Sequence, residues 1–204
     1  MRLQSLIEAV KGLVAAERDM FDHLWVEKYR PKTLDDLILS DINKTIVDGF
    51  SADQEIANLL FVGPPGIGKT TLAKILVNST LECQYMYINA SDESGIDTIR
   101  HNITLRNTME EHASVTRFIL TANYAHKVIP ALQSRCQSLD LTPPLDDCIN
   151  RIKHILKVEG VVVEADQDKL LKRFTRNNYP DLRRTINETQ KFCNNGKLYI
   201  ADTT

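Results

Sequence analysis

No run in the 204-residue chain approaches the roughly 18 consecutive apolar positions of a membrane-spanning helix, so no membrane partner is expected. Eight glycines and seven prolines are too few for a low-complexity or linker-like polymer. Cysteine is sparse, at Cys83, Cys136, Cys148 and Cys193, with no C-x-x-C pair and no histidine at zinc-finger distance. That excludes a zinc module and leaves small apolar thiols in a reducing compartment. Excess charge is missing as well. The net charge is -2, so any contact with nucleic acid must come from a local basic surface rather than a polycationic chain. What remains, 43% apolar and 25% charged residues, suits one folded domain or one and a half.

Residues 1–23 carry Leu3, Leu6, Ile7, Val10, Leu13 and Val14 at helical spacing. Glu8, Lys11 and Glu17 interrupt the run, so it is no signal-peptide core but an amphipathic helical extension, with Met20 as a second possible start. Further on, Ile56–Val62 is a short apolar run and reads as a buried strand. Thr70–Ser79 reads as a helix and Gln84–Ala90 as a second strand. Ser91 is placed to cap a following helix or loop. "TLRNTMEEHAS" reads as helical and Val115–Asn123 as a third strand. Strands alternating with helices predict a parallel α/β sheet. Pro143 and Pro144 mark a break. Beyond it the pattern is helical: Ile149, Ile152, Ile155 and Leu156 share a face, Gly160 closes that helix, and two more follow, the last starting at Pro180. The expected organisation is an extension over 1–23, an α/β nucleotide-binding domain over 24–142, and a small helical lid over 143–204.

Between the first strand and its helix lies Gly63-Pro64-Pro65-Gly66-Ile67-Gly68-Lys69-Thr70, then Thr71, which fits G-x-x-x-x-G-K-[ST] at every fixed position. Glycines let the backbone curl so that amide N–H groups face phosphate oxygens, and the helix start adds a positive dipole end. Lys69 is the side chain for the β- and γ-phosphates, and Thr70 is placed to hold Mg²⁺. ATP and Mg²⁺ are the expected cofactors.

Four further stretches carry a family resemblance. "LWVEKYRPKTLDDLI", "NASDESGIDTIR", "LTANYAHKVIPALQSRC" and "PDLRRTIN" occur in that order over Leu24–Phe192. Together they resemble AAA+ sliding-clamp loader subunits, meaning the replication factor C small subunits and their phage counterparts. The resemblance implies a P-loop AAA+ domain with a helical lid. It also implies a role in DNA replication as an ATP-binding subunit that loads a ring-shaped clamp onto primed DNA. Tyr29 and Arg30 are implied to wall the adenine. Asn123, at a strand end, is implied to orient the attacking water. Arg135 is implied to be an arginine finger for a neighbouring subunit's nucleotide. Arg183 is implied to sense the nucleotide from the lid, with Arg184 about 100° away on the same helix. Arg100, with His101, is implied to meet the DNA backbone. The basic run Lys169, Lys172, Arg173, Arg176, Arg183 and Arg184 reads either as a DNA-facing patch or as a solvated helix face. Implied partners are sister subunits, in a pentamer by resemblance, with the sliding clamp and primer-template DNA. The implied location is the cytoplasm of a prokaryote or phage-infected host, or a eukaryotic nucleus.

One part of the pattern is absent. P-loop ATPases carry four apolar residues on a strand followed by Asp or Asp-Glu, which hold the metal and polarise water. The acidic pairs Asp35-Asp36, Asp92-Glu93, Glu110-Glu111 and Asp146-Asp147 follow no such run. The 54 positions from Lys69 to Asn123 leave no room for another strand and crossover, so a central strand is expected to be missing at Ile103–Thr104. Nucleotide binding is therefore expected more firmly than hydrolysis. The alternatives are a non-hydrolysing structural subunit, a deletion product, or a DNA-directed motor of Holliday-junction-helicase type.

Overall fold

The computed structural model describes residues 23–53, 55–80, 96–112 and 114–200. The expected helix over 1–23 (His23 apart), the strand Gln84–Ala90 and the cap Ser91 lie outside the described residues. In chain order the elements are α1 (Trp25–Lys28), α2 (Asp41–Asp53), β1 (Leu59–Val62), α3 (Lys69–Ile75, continued by one π-helical turn to Thr80), α4 (Ile96–Glu111), β2 (Ile119–Ala122), α5 (Pro130–Gln133), β3 (Gln137–Asp140), α6 (Leu145–Val158), α7 (Ala165–Asn178), α8 (Leu182–Lys191), β4 (Cys193–Asn194) and β5 (Lys197–Leu198). They divide into two units, one of residues Pro31–Asp147 and one of Met1–Arg30 with Cys148–Thr204.

The first unit is built on a parallel sheet of order β2-β1-β3. β1 is paired on both sides, and its residues Leu59, Leu60 and Phe61 are almost wholly buried. This explains why it reads as a continuous apolar run rather than an alternating one. Leu72 and Leu76, from α3 and its π turn, join Leu59, Phe61, Val47, Leu139 and Leu141 in one core. Each such side chain contributes about 1.5–3 kcal/mol when taken from water. β3 was not anticipated, because in "QSLD" only Leu139 points inward. Its strand form comes from pairing with β1, not from propensity. Across the expected deletion the chain is regular: α4 runs unbroken from Ile96 through Ile103 and Thr104 to Glu111. Among the described residues, β2 pairs only with β1.

The second unit packs α6, α7, α8 and the β4–β5 hairpin around Ile152, Ile155, Leu156, Leu171, Ile186, Leu198 and Trp25. The segment around α1 thus belongs with the helical unit, not with the α/β domain in which the expected limits put it. Local reasons are visible. The Trp25 N–H donates to Gln190 Oε1 at 3.0 Å, Gln190 Nε2 donates to the His23 carbonyl at 2.5 Å, and Arg151 Nη2 donates to the Tyr29 carbonyl at 3.2 Å. Helix α8 starts at Leu182 rather than Pro180, because Asp181 caps it by accepting the Arg184 N–H at 2.9 Å.

Candidate nucleotide-binding site

The strand-to-helix turn leaves β1 at Val62 and enters α3 at Lys69. Gly63, Gly66 and Gly68 all have positive φ, at 135°, 79° and 96°. Gly63 is the most constrained. A Cβ there would sit 2.6 Å from Ile67 Cδ1 and 3.4 Å from Asp140 Oδ1. Ile67 is 8% exposed and anchors the loop tip in the core, whereas Pro65 faces solvent. Gly68 caps α3 without a side-chain hydrogen bond, and no acidic residue stands in the first turn. The first-turn N–H groups of α3 therefore meet no competing side-chain acceptor from the cap, the electrostatics an anion requires.

Lys69 is 8% exposed, and its ammonium donates to the Gly63 and Pro64 carbonyls, each at 2.7 Å. A buried cation folded back along a glycine cradle fits a polyphosphate. Thr70 is exposed in the first turn of α3, next to the half-buried Thr71. Pairing of Val62 with Ala122 and with Asp140 sets the neighbours of the loop. Asn123 is exposed directly after β2 and, like Gly63 after β1, follows the last pair of the register, Val62 with Ala122. On the other side Asp140 Oδ1 accepts from Thr142 N at 2.9 Å and Thr142 Oγ1 at 2.6 Å. The Asp140 carbonyl accepts from the buried Asn43 at 2.6 Å. Asp140, Thr142 and Asn43 brace the base of the loop. Sequence reasoning passed over them, although D-x-T after an apolar residue is a turn signal.

Arg135 lies in the turn after α5. Its Nη1 donates to the Ala131 carbonyl at 2.7 Å and its Nη2 pairs with Glu110 of α4. Gln133 Nε2 ties this turn to the segment after β2 through the Ala125 and Val128 carbonyls, at 2.9 and 2.7 Å. Gln133 was not singled out from sequence, and Glu110 was weighed only as half of an acidic pair, since its contact with Arg135 spans 25 positions that local pattern does not encode.

In the helical unit Tyr29 is half-buried. Its hydroxyl donates to Glu159 Oε1 at 2.5 Å, and Lys28 Nζ reaches the same oxygen at 2.7 Å. Burial, then the Glu159 hydrogen bond and charge, push the Tyr29 hydroxyl up to about 12. At Glu159 burial opposes ionisation, but the hydrogen bonds from Lys28 and Tyr29 and the Lys28 charge outweigh it, so its carboxyl lies below the usual range. Arg30 pairs with Glu27 at 2.6 Å. Arg183 and Arg184 are both exposed on α8. Within the basic run, Lys172 pairs with Asp168 at 2.9 Å, and Lys153 pairs with the same carboxylate. Part of that run is thus a neutralised face. Arg100 lies on α4, but its side chain is outside the described residues.

Two family descriptions match this chain. Residues 144–200 match the sliding-clamp-loader large subunit, AAA+ ATPase lid domain. Residues 59–103, which hold the whole phosphate loop, match the ATPase family associated with various cellular activities (AAA). The replication factor C small subunit of Archaeoglobus fulgidus is 33% identical over 216 residues, 88% of this chain and 67% of that protein. The chain belongs to the replication factor C small-subunit family. Its counterpart in Thermofilum pendens is 35% identical over 207 residues, 84% of this chain and 63% of the relative. The chain therefore spans about two thirds of the length of these archaeal relatives. In fold it is similar to Thermotoga maritima RuvB, the Holliday junction branch migration motor, with a TM-score of 0.58 at 20% identity over 80% of this chain and 64% of that one.

The 207 positions aligned with the T. pendens relative draw on 84% of 204 residues, about 171, so about 36 positions of that relative face no residue here. The AAA match also ends at Ile103, the residue after which the metal-binding strand was expected.

Proposed function

We propose that this chain is an ATP-binding subunit of a DNA sliding-clamp loader, working with sister subunits to set the clamp on primer-template DNA during replication. The observation that carries this reading is the loop Gly63–Thr70, whose left-handed glycines and uncapped helix start suit a triphosphate. ATP supplies the binding energy that would hold an assembly in its clamp-opening form. Lys69 neutralises the β- and γ-phosphates, and the Thr70 hydroxyl is placed to hold Mg²⁺. Asn123 positions water beside the loop, and Arg183 reports from the lid. Tyr29 and Arg30 wall the base, Arg135 serves the site of a neighbouring subunit, and Arg100 faces DNA. Cation–π and planar stacking suit Tyr29 and Arg30 to a purine.

A second reading has its own observation. About 36 aligned positions are missing, the family match ends at Ile103 and α4 runs straight across the junction. All three favour a subunit that binds nucleotide for assembly and leaves hydrolysis to its neighbours. Nucleotide affinity with and without Mg²⁺, followed by ATP turnover with clamp and primed DNA, alone and with sister subunits, tests both. Magnesium-dependent binding is common to the two readings. Turnover by the chain alone would overturn the non-hydrolysing one, and absence of any adenine-nucleotide binding would overturn both.

A further inference from the structure

Glu110 belongs to an acidic pair that the metal-binding pattern leaves unused, yet it sits where two arginines meet. Its Oε1 accepts from Arg106 Nε at 3.2 Å, one helical turn earlier on α4, and pairs with Arg135 Nη2 from the turn after α5. Met109 beside it is 2% exposed, which pins this part of the helix and fixes where Glu110 emerges. The second terminal nitrogen of Arg135 is held by the Ala131 carbonyl.

We propose that Glu110 is a positioning residue for Arg135: it holds the guanidinium against this chain's own surface and hands it to the terminal phosphate of a nucleotide carried by a neighbouring subunit. The inference rests on the arginine-finger reading given above. A guanidinium fork recognises carboxylate and phosphate oxygens by the same geometry, so Glu110 is a same-chain substitute for the phosphate. Exchange is feasible because the pair is exposed, and exposed ion pairs are weak and easily traded. The phosphate contact it gives way to is worth about 10³–10⁵ in rate. Arg106 keeps the carboxylate aimed and ionised. Its hydrogen bond is the largest influence holding Glu110 below the usual carboxyl range; slight burial opposes it, and the charges of Arg106 and Arg135 and the Arg135 hydrogen bond add to it. With the carboxylate ionised at neutral pH, the finger rests in a fixed place instead of sampling solvent, and releases only to an oxyanion of higher charge.

The test uses the full chain with the slowly hydrolysed analogue Mg-ATPγS. Three variants are compared with the parent: Glu110→Gln, which keeps the shape and a hydrogen-bond acceptor, Arg135→Ala, and the double variant. Sedimentation should show nucleotide-dependent association strengthened roughly two- to fivefold by Glu110→Gln, the range of one exposed pair. It should be lost in Arg135→Ala and not regained in the double variant. In the nucleotide-free monomer, the ¹⁵N-arginine Nε–H resonance of Arg135 should move in Glu110→Gln, a readout that general loss of fold would not produce singly. An unchanged resonance together with unchanged association, in a chain that still binds Mg-ATPγS, overturns the Glu110 role alone. A chain that binds the analogue but never associates overturns the finger reading. A chain that fails to bind it overturns the nucleotide reading beneath both.

Discussion

Replacing Gly63 with alanine separates backbone strain from packing in the phosphate loop. At φ of 135°, an alanine occupies backbone space that side-chain-bearing residues rarely adopt, at about 1–3 kcal/mol. Its Cβ also meets Ile67 Cδ1 at 2.6 Å. That atom ends a side chain and can turn about its last torsion, so the clash is relieved at the cost of part of the Ile67 packing. Backbone strain therefore outweighs the clash, and a total loss of about 2–4 kcal/mol is expected, near the lower part of the overpacking range added to strain. Against a typical total of about 5–15 kcal/mol this is a large fraction. Gly49 provides the internal control: it lies inside α2 with open space at its Cβ position, so Gly49→Ala should stabilise by about 0.5–1 kcal/mol. Urea denaturation of the three proteins gives both numbers. A Gly63→Ala midpoint equal to that of the parent would refute the reasoning, as would a Gly49→Ala midpoint below it.

Three more outcomes follow from the helical unit. Absorbance titration near 295 nm, with Tyr29→Phe subtracted, should reveal one tyrosine ionising near 12. Because the folded chain holds that proton more tightly than an ordinary tyrosine does, the associated stability is full below about pH 10 and drains away between about 10 and 12. Glu159→Ala should bring the midpoint only part of the way back, since burial is the larger cause; no movement at all would exclude the Glu159 contact. Cys193, pushed up to about 11 by burial and then by Glu159, should hold on the order of a hundredfold less thiolate than an ordinary cysteine at pH 8. Rapid alkylation there, mapped by mass spectrometry, contradicts its burial. Asp181→Ala should cost about 1 kcal/mol by uncapping α8, and an unchanged denaturation midpoint counts against the cap.

The legible parts of the fold were those written in local chemistry. Glycine placement announced the loop because φ values of 79–135° leave few alternatives. Ile149, Ile152, Ile155 and Leu156 announced α6 because a buried helix face must repeat with the helical period. β3 was hidden because three of its four side chains face outward and only its partner makes it a strand. The β4–β5 hairpin was signalled by Asn195-Gly196, both with positive φ, but two-residue strands leave no alternation to read. At the site, Lys69 could be picked from its motif. Glu159 against Tyr29, 130 positions apart, and Glu110 against Arg135, 25 apart, are products of tertiary packing, which no window of sequence contains.

Trp25 in the core of the helical unit has a practical corollary for anyone who dissects or recombines these proteins. The polypeptide passes between its two units twice, at Arg30–Pro31 and again at Asp147–Cys148. A single cut near the double proline therefore yields no intact lid, only one stripped of its tryptophan. A chimera that borrows the lid of a relative must borrow the short leading segment from the same donor, or the graft will have a hole where an indole belongs.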